Sequence, residues 1–427
     1  MPTVSPTLAL FDHPVAAHKV LHGQVDDLLE AFASVSDPRK PQGVRFALPV
    51  VLSLALLAVT CGAVGFDEIA EVAADLDPDL KAGFGLVRSA PSAATFRRVL
   101  NGTDPHALDE ALCRWADPTT TIEPDLSPTP TPTPAPAPAP APAPVVIKRV
   151  VSADGKTMRA ARRPGPDGQA VQDQVVEVLD QATGVVLACE QVTAQDEIAA
   201  LRRAVSRLAD RWGSLAGIVL IADSKHTQHE TVGAVNDADG WWVLPVKKNQ
   251  PGIHTRVKGL PWSQVAAADI DRGRGHGRHE TRTVRVLQHP GHIDLGLAGA
   301  TQAIKIGRYV LRKKTVTAEP AWTREVAYLL TNLPAHLAGP ALLGEIVRSH
   351  WRIENRLHWV RDIAFDEDRH TARTGNGPVV LACLRNTAIS RHRLTGADNI
   401  RKRLRACARD ARRALDALTS SKPQDQL

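Results

Sequence analysis

Two short runs decide the fold: IKRVVSAD at Ile147–Asp154 and GIVLIAD at Gly217–Asp223. Both are rich in β-branched residues and both close on an aspartate, which reads as a buried strand delivering an acid at its carboxyl end. Between them DQVVEVLD (Asp173–Asp180) and GVVLACEQV (Gly184–Val192) read as a hairpin turning across Gln181 to Gly184. DEIAALRRAVSRLADRW (Asp196–Trp212) has helical periodicity. Beyond Asp223, TQHETVGAVNDA reads as another helix and GWWVLPVKK as a further strand. Three strands, helix, strand, helix, strand is the order of an α/β domain. Gly252 to Leu330 then carries arginine, glycine and short β-like runs (ETRTVRVLQ, IGRYVLRKKTV, REVAYLL), and a helical zone begins near Leu342.

Upstream, Pro128 to Pro144 (PTPTPTPAPAPAPAPAP) divides the chain. Alternating proline removes backbone donors and fixes φ, so this segment is expected to be an extended spacer. Before it helical patterns dominate, among them SAATFRRVLNG, which Ser92 caps and Asn101-Gly102 stops. Its Arg97 and Arg98 suit either a helix that reads DNA or an ordinary small helical domain. The uncharged run Phe46 to Phe66 is long enough for a bilayer. Its early proline, its Thr60, Gly62 and Gly65 and the lack of a second span favour a helix buried on all sides. It also starts too far in for an ordinary signal peptide.

At 427 residues the chain exceeds one core, so two or three domains are expected. Lys plus Arg number 52 against 46 Asp plus Glu, a net +6 that permits a polyanionic partner without requiring one. The excess gathers between Arg385 and Arg413, where phosphate contacts are expected, while acids gather at Asp67–Asp79 and Asp362–Asp368. Five scattered cysteines form neither a disulfide framework nor a zinc spacing, which suits a reducing cytoplasm.

Within SHWRIENRLHWVRD (Ser349–Asp362), Ile353, Leu357, Val360 and Ala364 form one helical stripe. Glu354 lies on the adjoining stripe with His350, His358 and Arg361. Alone this is an ordinary ion-paired helix surface, and Asp154 and Asp223 taken singly could be caps or turn residues. Taken together, three carboxylates from distant segments point to a cluster that hard divalent cations would compensate. Two such ions can activate an attacking oxygen and stabilise the leaving oxygen of a phosphodiester.

The blocks SADGKTMR, ADSKHTQHE, LPVKKNQP, GHGRHETR and HWRIENRLHWVRDIAFDED, followed by TGN and LACLRN, resemble in order those of bacterial insertion-sequence DDE transposases of the ISAs-type, H-repeat-associated group. DPRKPQGVRFALPVVLSLALLAV, FDEIAE and PSAATFRRVL are similar to that group's N-terminal domain. The resemblance implies an α/β, RNase H-like catalytic core with a β-rich insertion at about 252–330, preceded by a small all-α domain. The expected division is 1–117 helical, 118–146 linker, 147–395 catalytic and 396–427 basic tail. Asp154, Asp223 and Glu354 stand where the family's catalytic, metal-binding triad belongs, with Mg²⁺ as the expected ion and Mn²⁺ as the substitute. Related enzymes carry a tyrosine-arginine-glutamate-lysine signature on the last helix. Here His350 stands four before the glutamate and Arg361 seven after it, and arginine reaches phosphate differently from lysine.

Lys156, Lys247, Lys248, Arg278, His350, His358 and Arg361 are the candidate DNA contacts. Trp241, Trp242 and Trp351 could stack on a base or belong to the core, and Asp362, Asp366, Glu367 and Asp368 are expected to solvate a helix end. RGRGHGRHE lacks the strand-to-helix setting of a dinucleotide loop. The expected activity is cleavage at the element's ends and strand transfer of the 3′-OH into target DNA. Partners are element and target DNA and a second copy in the active complex, with no membrane. A nuclease without joining activity and a non-catalytic DNA-binding regulator are the other readings.

Overall fold

The computed structural model describes residues 14–42, 44–117, 146–164, 170–275, 278–288, 294–312, 321–370 and 372–420. The proline spacer lies outside the described residues. Two compact units are formed. One comprises residues 116–159 and 166–360, the other 1–115, 160–165 and 361–427.

The first unit is built on one nine-stranded sheet: β1 (Arg149–Pro164), β2 (Ala170–Asp180), β3 (Val186–Gln191), β4 (Ile218–Ala222), β5 (Trp241–Val246), β6 (Asp269–Gly275), β7 (Arg278–Gln288), β8 (Gln302–Arg312) and β9 (Ala321–Thr331). The order is β3-β2-β1-β4-β5-β9-β8-β7-β6. β1, β4 and β5 are parallel, and β2 and β3 form the expected antiparallel hairpin. This is the α/β, RNase H-like core. The insertion does not form a separate body: β9 pairs antiparallel with β5 (Val243 opposite Thr331), and β8, β7 and β6 extend the same sheet. Val219, Ile221, Val243, Ile304 and Leu329 pack with Leu343 and Ile346 of the later helix Pro340–Ser349.

Helices α1–α6 span Pro14–Glu30, Leu48–Thr60, Phe66–Asp75, Pro78–Gly83, Ala93–Gly102 and Pro105–Ala116. In the sheet unit, α7 (Glu197–Trp212), α8 (His229–Asp237), α9 (Pro251–Lys258) and α10 (Pro340–Ser349) follow. α7 begins on Asp196, whose side chain accepts from Ala199 N–H, and stops at Gly213 with φ 76°. It lays Ala200, Leu201, Ala204, Val205 and Leu208 against β2 and β3. After a short α11 (Trp359–Ala364) come α12 (Gly377–Leu394), α13 (Ile400–Ala408) and α14 (Arg412–Thr419).

α2 is buried almost throughout, as its uncharged sequence requires, and packs on α1, α3, α5, α12 and α14. No helix among the described residues is long and apolar enough to cross a membrane. Residues 361–427 group with the N-terminal helices, where α12, buried along most of its length, supplies an apolar partner for α2.

Candidate active site

The parallel ladder between β1 and β4 runs from Arg149↔Ile218 to Ala153↔Ala222. Asp154 and Asp223 are the next residue on each strand, so neighbouring strands present both acids one step beyond the last pair. β1 does not end there, as its aspartate suggested, but continues to Pro164. Asp154 Oδ1 accepts from Gly155 N–H at 2.8 Å. Asp223 caps a 3₁₀ turn, Ser224–His226, accepting from Lys225 N–H at 2.8 Å.

Glu354 reaches the same place on a different element. It opens a π-helical turn, Glu354–His358, closed by Trp359 N–H on Glu354 O. Such a turn holds one residue more than an α turn and is common at functional sites. Ile353 and Leu357 anchor it in the core. Arg352 donates to Gln181 O at 2.9 Å, and Arg356 reaches Gln181 O, Ala182 O and Thr183 O. Two of the segment's arginines therefore dock it on the β2–β3 turn.

His358, with 2% of its side chain exposed, joins the acids. Its Nδ1 lies 3.1 Å from Glu354 Oε2 and 3.8 Å from Asp154 Oδ2. Its Nε2 lies 3.0 Å from Oε2 of the fully buried Glu177. The His358 hydrogen bond holds the Glu354 carboxyl below its ordinary range. Burial pushes Asp154 up against the pull of His358, and the charges of Asp223 and Glu354 add to the rise. A cation would relieve that repulsion, and ligand atoms of Asp154, Glu354 and His358 lie within 4.8 Å of one another. The donor set fits a divalent ion.

Glu177 and a cluster around the buried His226 were missed in the sequence. Glu177 is an acid within an apolar, β-branched strand, VVEVL, and that mismatch was the available signal. Glu197, at the start of α7, faces His226 Nε2 at 3.2 Å and Lys225 Nζ. The His226 hydrogen bond, with help from Lys225, holds its pKa down to about 2. A Cβ on Gly155 would fall 2.7 Å from Glu197 Cδ and Oε1. Gly155→Ala is therefore expected to cost about 1–3 kcal/mol of stability, because the clamped carboxylate must give way beside Asp154. A urea midpoint equivalent to less than about 0.5 kcal/mol of loss would show that Glu197 swings aside freely.

The other candidates divide. Lys156 stands two residues after Asp154 and its charge helps lower Glu354. Lys247 and Lys248 are exposed at the carboxyl end of β5, the sheet edge that carries Asp223. Asn249 ties their loop to the 3₁₀ turn through Ser224 O at 2.7 Å. Arg278 opens β7, separated from β4 by β5, β9 and β8, so it is not brought together with the acids.

His350 and His358 are corrected as phosphate contacts. Burial holds His350 neutral, with a pKa of about 4, and both ring nitrogens of the buried His358 face carboxylates. Arg361 is corrected too. The extra residue of the π turn advances the face by one, so Arg361 and Phe365 become buried while Ala364 is only half-buried. Arg361 pairs with Glu367 at 2.7 Å, and Arg385 reaches the same carboxylate at 2.7 Å. Glu367, 2% exposed, does not solvate a helix end.

Trp242 is core, its Nε1 donating to Asn236 Oδ1 at 3.0 Å, whereas Trp351 is 65% exposed. The basic stretch after Arg385 is mixed. Arg391 covers Trp115 and Arg412 pairs with Asp77 and Asp79, whereas Arg401, Lys402, Arg405 and Arg409 are exposed.

Residues 29–116 match the family described as DDE_Tnp_1-associated, and residues 147–391 match the Transposase DDE domain. Among curated relatives, "Putative transposase YncI" of Escherichia coli O157:H7 is 22% identical, over 86% of this chain and 87% of its own. "H repeat-associated putative transposase YhhI" of Escherichia coli K12 is also 22% identical, over 86% and 90%. A piggyBac transposase synaptic complex with hairpin DNA aligns at a TM-score of only 0.37 and 10% identity, over 95% of this chain and 80% of that one. With more than half of its length matched by the catalytic-domain family and most of its N-terminal helices by the associated one, the chain belongs to the DDE-domain transposases.

Proposed function

We propose that this transposase cleaves DNA at the ends of its element and joins the freed 3′-OH to target DNA, with Asp154, Asp223 and Glu354 holding the divalent metal. One observation carries the reading: two acids step off the same parallel ladder while the π turn brings a third to Asp154 through a shared histidine. Mg²⁺ or Mn²⁺ bound there would favour deprotonation of the attacking oxygen and neutralise charge on the leaving one. Water attacks phosphorus at the element end, the P–O3′ bond breaks, and the departing oxygen takes a proton. The resulting 3′-OH then attacks a target phosphodiester, forming one P–O bond and breaking one, so joining needs no external energy source.

The chain's residues supply position. Asp154 and Asp223 are fixed by the strands and by backbone N–H donors, and Glu354 by His358 and the docked arginines. Lys247 and Lys248, exposed on the same edge, would meet phosphate oxygens, with Lys156 nearer the acids. Since an element has two ends, a pair of copies in the active complex would give each end its own site.

The test supplies the purified chain with a fragment carrying the element's ends, a supercoiled target, and Mg²⁺ or Mn²⁺. Metal-dependent nicking followed by joined product is expected. Cleavage without joining would leave a nuclease, and DNA binding with neither reaction would leave a regulator.

A further inference from the structure

Resting on the metal site just proposed, we infer that His358 is itself a ligand of that ion through Nδ1, and that Glu177 is the carboxylate that orients it. An imidazole has one donor and one acceptor nitrogen when neutral, so whatever fixes one nitrogen decides what the other can do. Glu177 fixes Nε2. It is fully buried, sits 3.0 Å from that nitrogen, and its other oxygen receives the Cys189 thiol at 3.8 Å. A carboxylate in this position accepts Nε2–H, so that once a cation takes the place of the Nδ1 proton the Nδ1 lone pair is aimed at it. Histidine ligands of metals almost always donate their second N–H in this way.

Nδ1 stands 3.1 Å from Glu354 Oε2 and 3.8 Å from Asp154 Oδ2, so three donors from β1, the π turn and its last residue converge on one point. Their spread, within 4.8 Å, is little more than two metal–ligand bonds of about 2.1 Å. The π turn keeps this arrangement. Glu354 and His358, four residues apart, both face the site while Leu357 stays in the core.

The chemical consequence is a change in metal class. A purely carboxylate site suits Mg²⁺ and Mn²⁺ alike, whereas an imidazole nitrogen shifts preference toward the transition metal. The site is therefore assigned as one that takes Mn²⁺ in preference to Mg²⁺.

The test uses Mn²⁺ alone with the full chain. Electron spin-echo envelope modulation should show one directly coordinated imidazole nitrogen in the wild type, and His358→Gln should lose it while still binding Mn²⁺ more weakly. Glu177→Gln should reduce Mn²⁺ affinity by about 10–100-fold. Mn²⁺ bound with no nitrogen coupling in the wild type overturns the inference and leaves the carboxylate site standing, with His358 only a bridge between acids. Nitrogen coupling that persists in His358→Gln overturns it as well, since the ligand is then another histidine. No Mn²⁺ binding by the wild type overturns both this inference and the metal site. The wild-type and His358→Gln spectra together decide the matter even if the buried Glu177→Gln variant fails to fold.

Discussion

Glu354→Gln should fold as the wild type does, bind DNA, and lose metal-dependent cleavage and joining by at least about 10³-fold, since a metal ligand supplies several kcal/mol of transition-state stabilisation. The side chain is 43% exposed and glutamine keeps its shape and its acceptor toward His358, so the core loses nothing. If Glu354 were merely a surface partner of His358, neutralising it would cost only about 0–1 kcal/mol of stability and nothing in rate. Asp154→Asn and Asp223→Asn are expected to behave like Glu354→Gln. Asp366→Asn is the control: it is exposed and sits at φ 47°, a conformation asparagine also tolerates. The measurement is cleavage of end-bearing DNA at saturating metal and DNA. Rates for Glu354→Gln within a few-fold of wild type would remove Glu354 from the triad.

The second large effect belongs to stability. Glu367 forms ion pairs with both Arg361 and Arg385, and all three side chains are at most 2% exposed. Arg361 also donates to Asn386 Oδ1 at 3.2 Å and Arg385 to Val64 O at 2.9 Å. Glu367→Gln removes the carboxylate that both buried guanidiniums share. The expected cost is about 3–5 kcal/mol, or roughly a 6–20 °C fall in the melting temperature of the helical unit. Replacing Glu367, Arg361 and Arg385 together by apolar residues of similar volume should recover most of the loss, because desolvation then disappears with the charges. A melting temperature within about 2 °C of wild type for Glu367→Gln would mean that water reaches the pair.

The parts of the molecule that local patterns govern were legible. VVSAD and LIAD predicted strands that deliver acids, and the ladder does end one residue before each of them. The uncharged run at α2 predicted burial on all sides, and burial is what it has. What local patterns could not carry was the identity of distant partners. Nothing in SHWRIENRLHWVRD announces a π turn, since one extra residue per turn is chosen by the fit of Ile353 and Leu357 to the core. That single residue moved Arg361 off the stripe of Glu354 and made the periodicity argument fail after His358. Glu177 likewise became meaningful only once His358, 181 residues away in sequence, was placed against it.

The helical unit's discontinuity in sequence sets the order in which the chain can mature. His392 Nε2 lies 3.1 Å from Thr60 O across a separation of 332 residues, and α12 is a principal cover for α2. At about 5–20 residues per second of synthesis, α2 waits roughly 20–70 s on the ribosome before that cover emerges. During that interval an uncharged apolar helix is open to chaperones and to self-association. The sheet, whose strands all precede Asn332, can close in the meantime. A chain truncated by an early stop or frameshift before Gly377 never receives α12 and is expected to aggregate. Broken copies of the gene would then yield no free N-terminal fragment to compete with intact transposase.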